Sequence, residues 1–224
     1  TLVMIDSDGD GICDAEEPPV EGLIVETYYI SDSDDATDTD GGHLPAGSVT
    51  YRLYLDLGFD YQLSTVFGSP THELYMETST EFFNNTSRGG ELGESIRSTR
   101  LGSNTLALDS YITIGAATSQ HIGVMKEKDM DGSLVGGPNS DGGSEEIEGG
   151  ILRNDLPSAG IPLTISDGLM PGSGAIITRT PGLDLTAFGD QNYPGRFSVT
   201  NGAWADLEGY VSPDPDNKVL IAQV

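Results

Sequence analysis

The sequence predicts an all-β fold, a β-sandwich of jelly-roll or immunoglobulin-like type. Composition is the first reason. Of 224 residues, 30 are glycine and 12 proline, while hydrophobic residues make up 36%. That balance suits short strands joined by many turns and opposes long helices. The second reason is the segment Ser48 to Leu57. There Val49, Tyr51, Leu53, Leu55 and Leu57 alternate with Thr50, Arg52, Tyr54 and Asp56. Period-2 alternation marks a strand with one apolar face. Third, roughly ten short runs of this kind recur between turn-rich segments, as in two-sheet all-β folds.

The elements follow in order. Thr1 to Ile5 is a short apolar stretch with strand propensity. Residues 6–17 form an acidic loop, and Pro18 and Pro19 forbid a helix after it. Gly22 to Ile30 predicts a strand carrying Val25, Tyr28, Tyr29 and Ile30. Residues 31–42 are a second acidic loop. Tyr61 to Phe67 is expected beside Ser48–Leu57, after a turn at Gly58 to Asp60. Glu73 to Thr78 is a weaker strand. Leu106 to Ile114 alternates through Leu106, Leu108, Ser110, Ile112 and Ile114, which predicts another. Residues 127–150, rich in Gly, Asp, Ser and Glu, are a long surface loop or an ion site. Short strands are expected near Ile161–Ile165, Ala175–Thr178, Phe197–Thr200 and Val219–Val224. The chain divides into an arm, residues 1–17, and a β domain, residues 18–224, with residues 18–20 as the linker.

Charge narrows the partners. Ten basic residues stand against 36 acidic ones, a formal charge of −26. Such a polyanion repels nucleic acid and anionic membranes and attracts divalent cations. No run approaches the roughly 20 apolar residues of a membrane-spanning helix, so no membrane insertion is expected. The single cysteine, Cys13, allows no internal disulfide. A metal is the alternative staple for an exported domain. The chain opens on Thr1 rather than Met, which suits processing and export, and a secreted, extracellular location is the expectation.

The acidic loop carries the most specific motif. Asp6-Ser-Asp8-Gly-Asp10-Gly11-Ile12-Cys13-Asp14-Ala-Glu16-Glu17 satisfies D-x-D-x-D-G-x₅-E at every defined position. Ca²⁺ takes six to eight oxygens at about 2.3–2.6 Å. Asp6, Asp8 and Asp10 supply side-chain oxygens as the loop wraps, and Gly11 permits the sharp turn. The Ile12 carbonyl points inward, Asp14 ligates directly or through water, and Glu17 closes the cage with two oxygens. Five apolar residues before the loop leave no room for an incoming helix, and the prolines oppose an outgoing one, so this is no EF-hand. Over these dozen residues the loop resembles the thrombospondin type 3 repeats of secreted proteins. The resemblance implies Asp6, Asp8, Asp10, Asp14 and Glu17 as side-chain ligands of Ca²⁺. Those repeats come in tandem with paired cysteines; one loop and one cysteine here do not imply a multi-ion array.

Weaker candidates remain. Asp32, Asp34, Asp35, Asp38 and Asp40 are candidates for a second metal ion, and Asp129, Asp131, Asp141, Glu145 and Glu146 for a third. For both, a solvated acidic loop is the competing reading. Asn84-Asn-Thr86 and Asn85-Thr-Ser87 are overlapping N-x-[ST] sequons, which makes Asn84 and Asn85 candidate glycosylation sites. No catalytic constellation is legible. His43, His72 and His121 are scattered, and His72-Glu73 does not continue as HExxH. Carboxylates around Cys13 would raise its thiol pKa and make it a poor nucleophile. The expectation is a protein without enzymatic activity.

The free strand Leu2, Val3, Met4 and Ile5 cannot bury itself alone. It pairs either within its own domain or, by strand addition, with another subunit. The stretch Val49 to Asn85 looks like segments of secreted surface proteins of Bacteroidota-type bacteria, and the whole is similar to subunits of extracellular bacterial fibrils. That resemblance implies a filament or surface layer of identical subunits, joined by strand exchange and stiffened by Ca²⁺. A calcium-assisted lectin or adhesin module of a larger secreted protein, with glycans as partners, is the alternative.

Overall fold

The computed structural model describes residues 18–31, 41–101, 104–131, 135, 166–189 and 195–224. These form an all-β structure of antiparallel sheets whose only helical pieces are short 3₁₀ turns. Among the described residues, no helix is long and apolar enough to cross a membrane.

The central sheet has four strands in the order β1-β2-β12-β5. Strand β1 spans Gly22–Ile30 and β2 spans Val49–Asp56. They run antiparallel from Gly22 opposite Asp56 to Ile30 opposite Val49, with a bulge between Thr27 and Tyr29. The bulge turns both Tyr28 and Tyr29 inward. Strand β12, Lys218–Gln223, covers the other edge of β2, and the two-residue β5, Tyr111–Ile112, closes the order.

The alternation in β2 is present, but its buried face is the opposite of the expected one. Arg52 is 1% exposed and Tyr54 0%, while Val49 is 36% exposed. Both faces of the sheet are covered, unequally. One packs Leu53, Leu55, Val219 and Ile221 against Trp204, Phe197 and Val66. The other packs Tyr28, Tyr54 and Leu220 under Ile96, Leu101, Leu106 and Leu169. A sheet covered twice no longer sorts residues by polarity, provided its buried polar groups find partners.

Three smaller sheets complete the fold. Strand β3, Leu63–Gly68, pairs with the nine-residue β11, Gly202–Tyr210, which also pairs with β9, Thr178–Arg179. Strand β4, Leu74–Glu77, pairs with β10, Arg196–Val199. Strands β6 (Ala116–Thr118), β7 (His121–Gly123) and β8 (Leu169–Pro171) form the last sheet.

Three sequence expectations are corrected. The segment Tyr61–Phe67 is β3, but it joins β11 rather than β2. The preceding turn carries the chain away, with Asp60 at φ +64° and the Asn217 amide bonding the carbonyls of Gly58 and Tyr61 at 3.0 and 2.9 Å. Leu106–Ile114 is not one strand. A 3₁₀ turn occupies Asn104–Leu108, and only Tyr111–Ile112 is extended. Its leucines are buried because the turn packs beneath the central sheet, so alternation misread the period. Ala175–Thr178 yields only β9, because the Ala175 N–H is tied sideways to the Ile114 carbonyl at 3.0 Å. The expected strands at Thr1–Ile5 and Ile161–Ile165 lie outside the described residues.

Candidate functional site

Two features distinguish this fold: a charged hub inside it and an apolar groove on its surface. The hub grows from the β1–β2 register, which sets Glu26 opposite Arg52. Arg52 Nε donates to Gln223 Oε1 at 2.9 Å and Nη1 donates to the Gly168 carbonyl at 2.8 Å. Its guanidinium lies 3.5 Å from the centre of the Tyr28 ring. The Tyr28 hydroxyl donates to the Asp167 carbonyl at 2.6 Å. Glu26 Oε1 accepts the Lys126 N–H at 2.8 Å. Gln223 Nε2 donates to the carbonyls of Ala107 and Asp109. Strands and loops far apart in sequence are thereby tied to one cation.

Burial alone would lower the Arg52 pKa, but Tyr28, Tyr54, Tyr111 and the Glu26 carboxylate outweigh it and hold the guanidinium charged. Burial, followed by the nearby Arg52, pushes Lys126 down to about 8. Gly168 must adopt φ +69°, and a Cβ there would meet Arg52 Nη1 and the Val124 carbonyl at 2.8 Å. The cavity beside Arg52 measures about 10 Å³, too small for a substrate. The hub therefore ties together strands and loops distant in sequence.

The groove measures about 840 Å³. Val25, Val49, Tyr51 and Leu53 form one wall, on β1 and β2, and the run Tyr75–Phe83 forms the other. Val25 is 56% exposed and Tyr75 57%, with the Arg196 guanidinium 4.8 Å from the centre of the Tyr75 ring. Among the described residues β4 pairs only with β10, and β1 pairs only with β2. Each therefore keeps one edge of backbone N–H and C=O groups without a strand neighbour.

The sequence-derived sites are distributed as follows. Asp6, Asp8, Asp10, Ile12, Asp14 and Glu17 lie outside the described residues, as do Leu2 to Ile5. So do Asp32, Asp34, Asp35, Asp38 and Asp40, and Asp141, Glu145 and Glu146. Asp129 and Asp131 are described. Among the described residues no group of three or more His, Cys, Asp or Glu is placed to hold a metal ion. Asn84 and Asn85 are 3% and 5% exposed. The Asn84 amide donates to the Ala187 carbonyl at 3.0 Å, and Asn85 Oδ1 accepts the N–H groups of Ser87 and Arg88. A glycan would join Nδ2, which in Asn84 donates to the Ala187 carbonyl and in Asn85 lies 3.5 Å from Thr105 Oγ1, so it would have to displace those buried contacts. Sequence reading missed Arg52, Glu26, Lys126 and Asp167. The available signal was an arginine in the middle of a tyrosine-rich strand, in a chain with only ten basic residues.

Asp109 anchors the same turn. Its carboxylate accepts the N–H groups of Asn85 at 2.6 Å and Gly90 at 2.7 Å. Burial pushes its pKa up to about 8 in spite of the N–H donors of Asn85, Gly90 and Ser110. The unfolded carboxyl titrates near 3.8. Stability from neutral Asp109 is therefore complete below that value and is lost as pH rises through 8, at up to about 1.4 kcal/mol per unit. Thermal unfolding in chelator should occur at higher temperature at pH 5 than at pH 8, and Asp109→Asn should flatten the profile. A wild-type profile that rises with pH would contradict this.

Comparison of the chain with family models, with curated proteins and with solved structures found no match.

Proposed function

We propose that this chain is a subunit of an extracellular assembly whose groove receives an extended strand from a second copy. The observation that carries this reading is the groove between the β1–β2 face and β4. It offers an apolar wall and, at β4 (Leu74–Glu77), a strand whose second edge has no strand neighbour among the described residues. Strand addition needs both features: backbone bonds supply affinity and side-chain pockets supply register. Leu2, Val3, Met4 and Ile5 are the matching donor. They are apolar, and they match the four-residue β4 in length. In this reading Asp6–Glu17 binds Ca²⁺ through Asp6, Asp8, Asp10, Ile12, Asp14 and Glu17 and stiffens the arm behind the donor strand. Sandwich architecture, secretion and a structural rather than enzymatic role belong to the same proposal.

Deletion of residues 1–5 and, separately, Val25→Lys in the groove wall should each abolish assembly while leaving a folded monomer. Sedimentation velocity and electron microscopy read the result. Polymers unchanged by both variants would refute strand exchange. A monomeric wild type that binds glycans only with Ca²⁺ would replace this reading with the adhesin one.

A further inference from the structure

We propose that Asp129 and Asp167 form a binding site for a hard divalent cation, Ca²⁺ or Mg²⁺, independent of the strand-exchange reading. Asp129 follows the 3₁₀ turn Lys126–Lys128, and Asp167 precedes β8. Asp129 and Asp167 thus come from two stretches 38 residues apart in sequence.

The geometry points to a missing positive partner. Asp167 is 0% exposed. Its Oδ1 accepts the Leu169 N–H at 2.9 Å, whereas its Oδ2 meets no hydrogen-bond donor. Asp129 Oδ2 accepts the N–H groups of Asp167 at 3.1 Å and Gly168 at 2.8 Å. The two carboxyl groups thus share one turn and lie within hydrogen-bonding reach of each other. As carboxylates, neither can donate to the other. Around them stand three carboxyl groups, Glu26, Asp129 and Asp167, and two basic side chains, Arg52 and Lys126. Arg52 is directed at Gly168, Gln223 and the Tyr28 ring.

A buried carboxylate oxygen without a donor is costly unless a proton or a cation meets it. The donor set consists of carboxylate oxygens, which selects a hard cation. Asp129 is only partly buried and Asp131, bonded to it at 3.3 Å, is exposed, so the site opens to solvent on that side. Two carboxylates completed by water are a common arrangement for Mg²⁺ and a low-affinity one for Ca²⁺. A cation here would clamp these two stretches to the Arg52 hub through the Asp167–Gly168 turn.

The test uses the full chain carrying Asp6→Asn and Asp8→Asn, which removes the amino-terminal loop from the count. Isothermal titration with CaCl₂ and with MgCl₂ at pH 7.5 should show one ion bound by one or both. Terbium luminescence excited through tyrosine should report the same site. Asp167→Asn in that background should weaken binding at least about tenfold, since even outer-shell changes cost that much. Asp184→Asn, on an exposed loop, should leave it unchanged. Should Asp167→Asn fail to fold, Asp129→Asn serves in its place, because its amide oxygen can still accept the two N–H groups. Binding by neither cation would overturn the proposal, as would equal binding by Asp167→Asn or Asp129→Asn. A variant that outlives its parent in chelator, with no response to either cation, would show that the pair shares a proton instead. Loss of polymers on deleting residues 1–5 is a separate readout, so the two proposals can fail independently.

Discussion

Replacing Arg52 with leucine should destabilise the fold by about 3–5 kcal/mol, a large share of the roughly 5–15 kcal/mol available to a domain. The loss does not come from surface electrostatics. Arg52 is 1% exposed and stands opposite Glu26 across the β1–β2 ladder, with Lys126 the second cation acting on that carboxyl. Removing Arg52 takes the nearest cation from the Glu26 carboxyl, leaves the Gly168 carbonyl with only the Val124 N–H and Gln223 Oε1 with only the Tyr111 hydroxyl, and takes the cation off the Tyr28 ring. Leucine restores some apolar volume but none of these partners. Urea denaturation followed by circular dichroism measures the loss. Adding Glu26→Gln should recover part of it, because the carboxyl left without Arg52 is then gone, and the double-mutant cycle would give a coupling energy well above zero. Additive effects would show that Arg52 acts through packing alone.

Trp204→Ala should cost about 3–5 kcal/mol. The indole is 1% exposed and ends an aromatic row in which Phe82 stacks on Phe188 at 5.5 Å, Phe188 meets Phe197 at 5.0 Å, and Phe197 meets Trp204 at 6.2 Å. Its Nε1–H donates to the Thr113 carbonyl at 3.0 Å. Alanine leaves both a cavity and an orphaned carbonyl, whereas Trp204→Phe leaves mostly the orphan and should cost less. The chain has one tryptophan, so wild-type emission directly reports burial of this contact during unfolding. A loss below about 1 kcal/mol for Trp204→Ala would mean that the row is not a central part of the core.

Both variants test contacts between segments far apart in sequence, and those were the hardest to read. Strand β1 was legible to its ends, because Gly22 opens it and an acidic run follows Ile30. Strands β2, β4, β10 and β12 were legible to within about two residues at each end. Strand β11 was missed: Gly202–Tyr210 mixes Ala203, Asp206 and Glu208 without a clean period, and pairing with β3 and β9 holds it extended. Leu106–Ile114 failed for the opposite reason. Its spacing fits a strand, but Asp109 accepts distant N–H groups and folds the segment into a turn.

What the sequence determined by itself was the all-β class, most of the strand positions and the net charge of −26. Those follow from glycine and proline content, from period-2 alternation and from charge, which act over a few residues or over the whole composition. The tertiary structure decided which face of β2 is buried, where β3 pairs, that Arg52 finds Glu26 and Gln223, and that Asp129 meets Asp167. A charged side chain is stable inside a protein only when its partners arrive there. Those partners sit 26 residues away across a hairpin or more than a hundred residues away across the fold, and no local pattern encodes them.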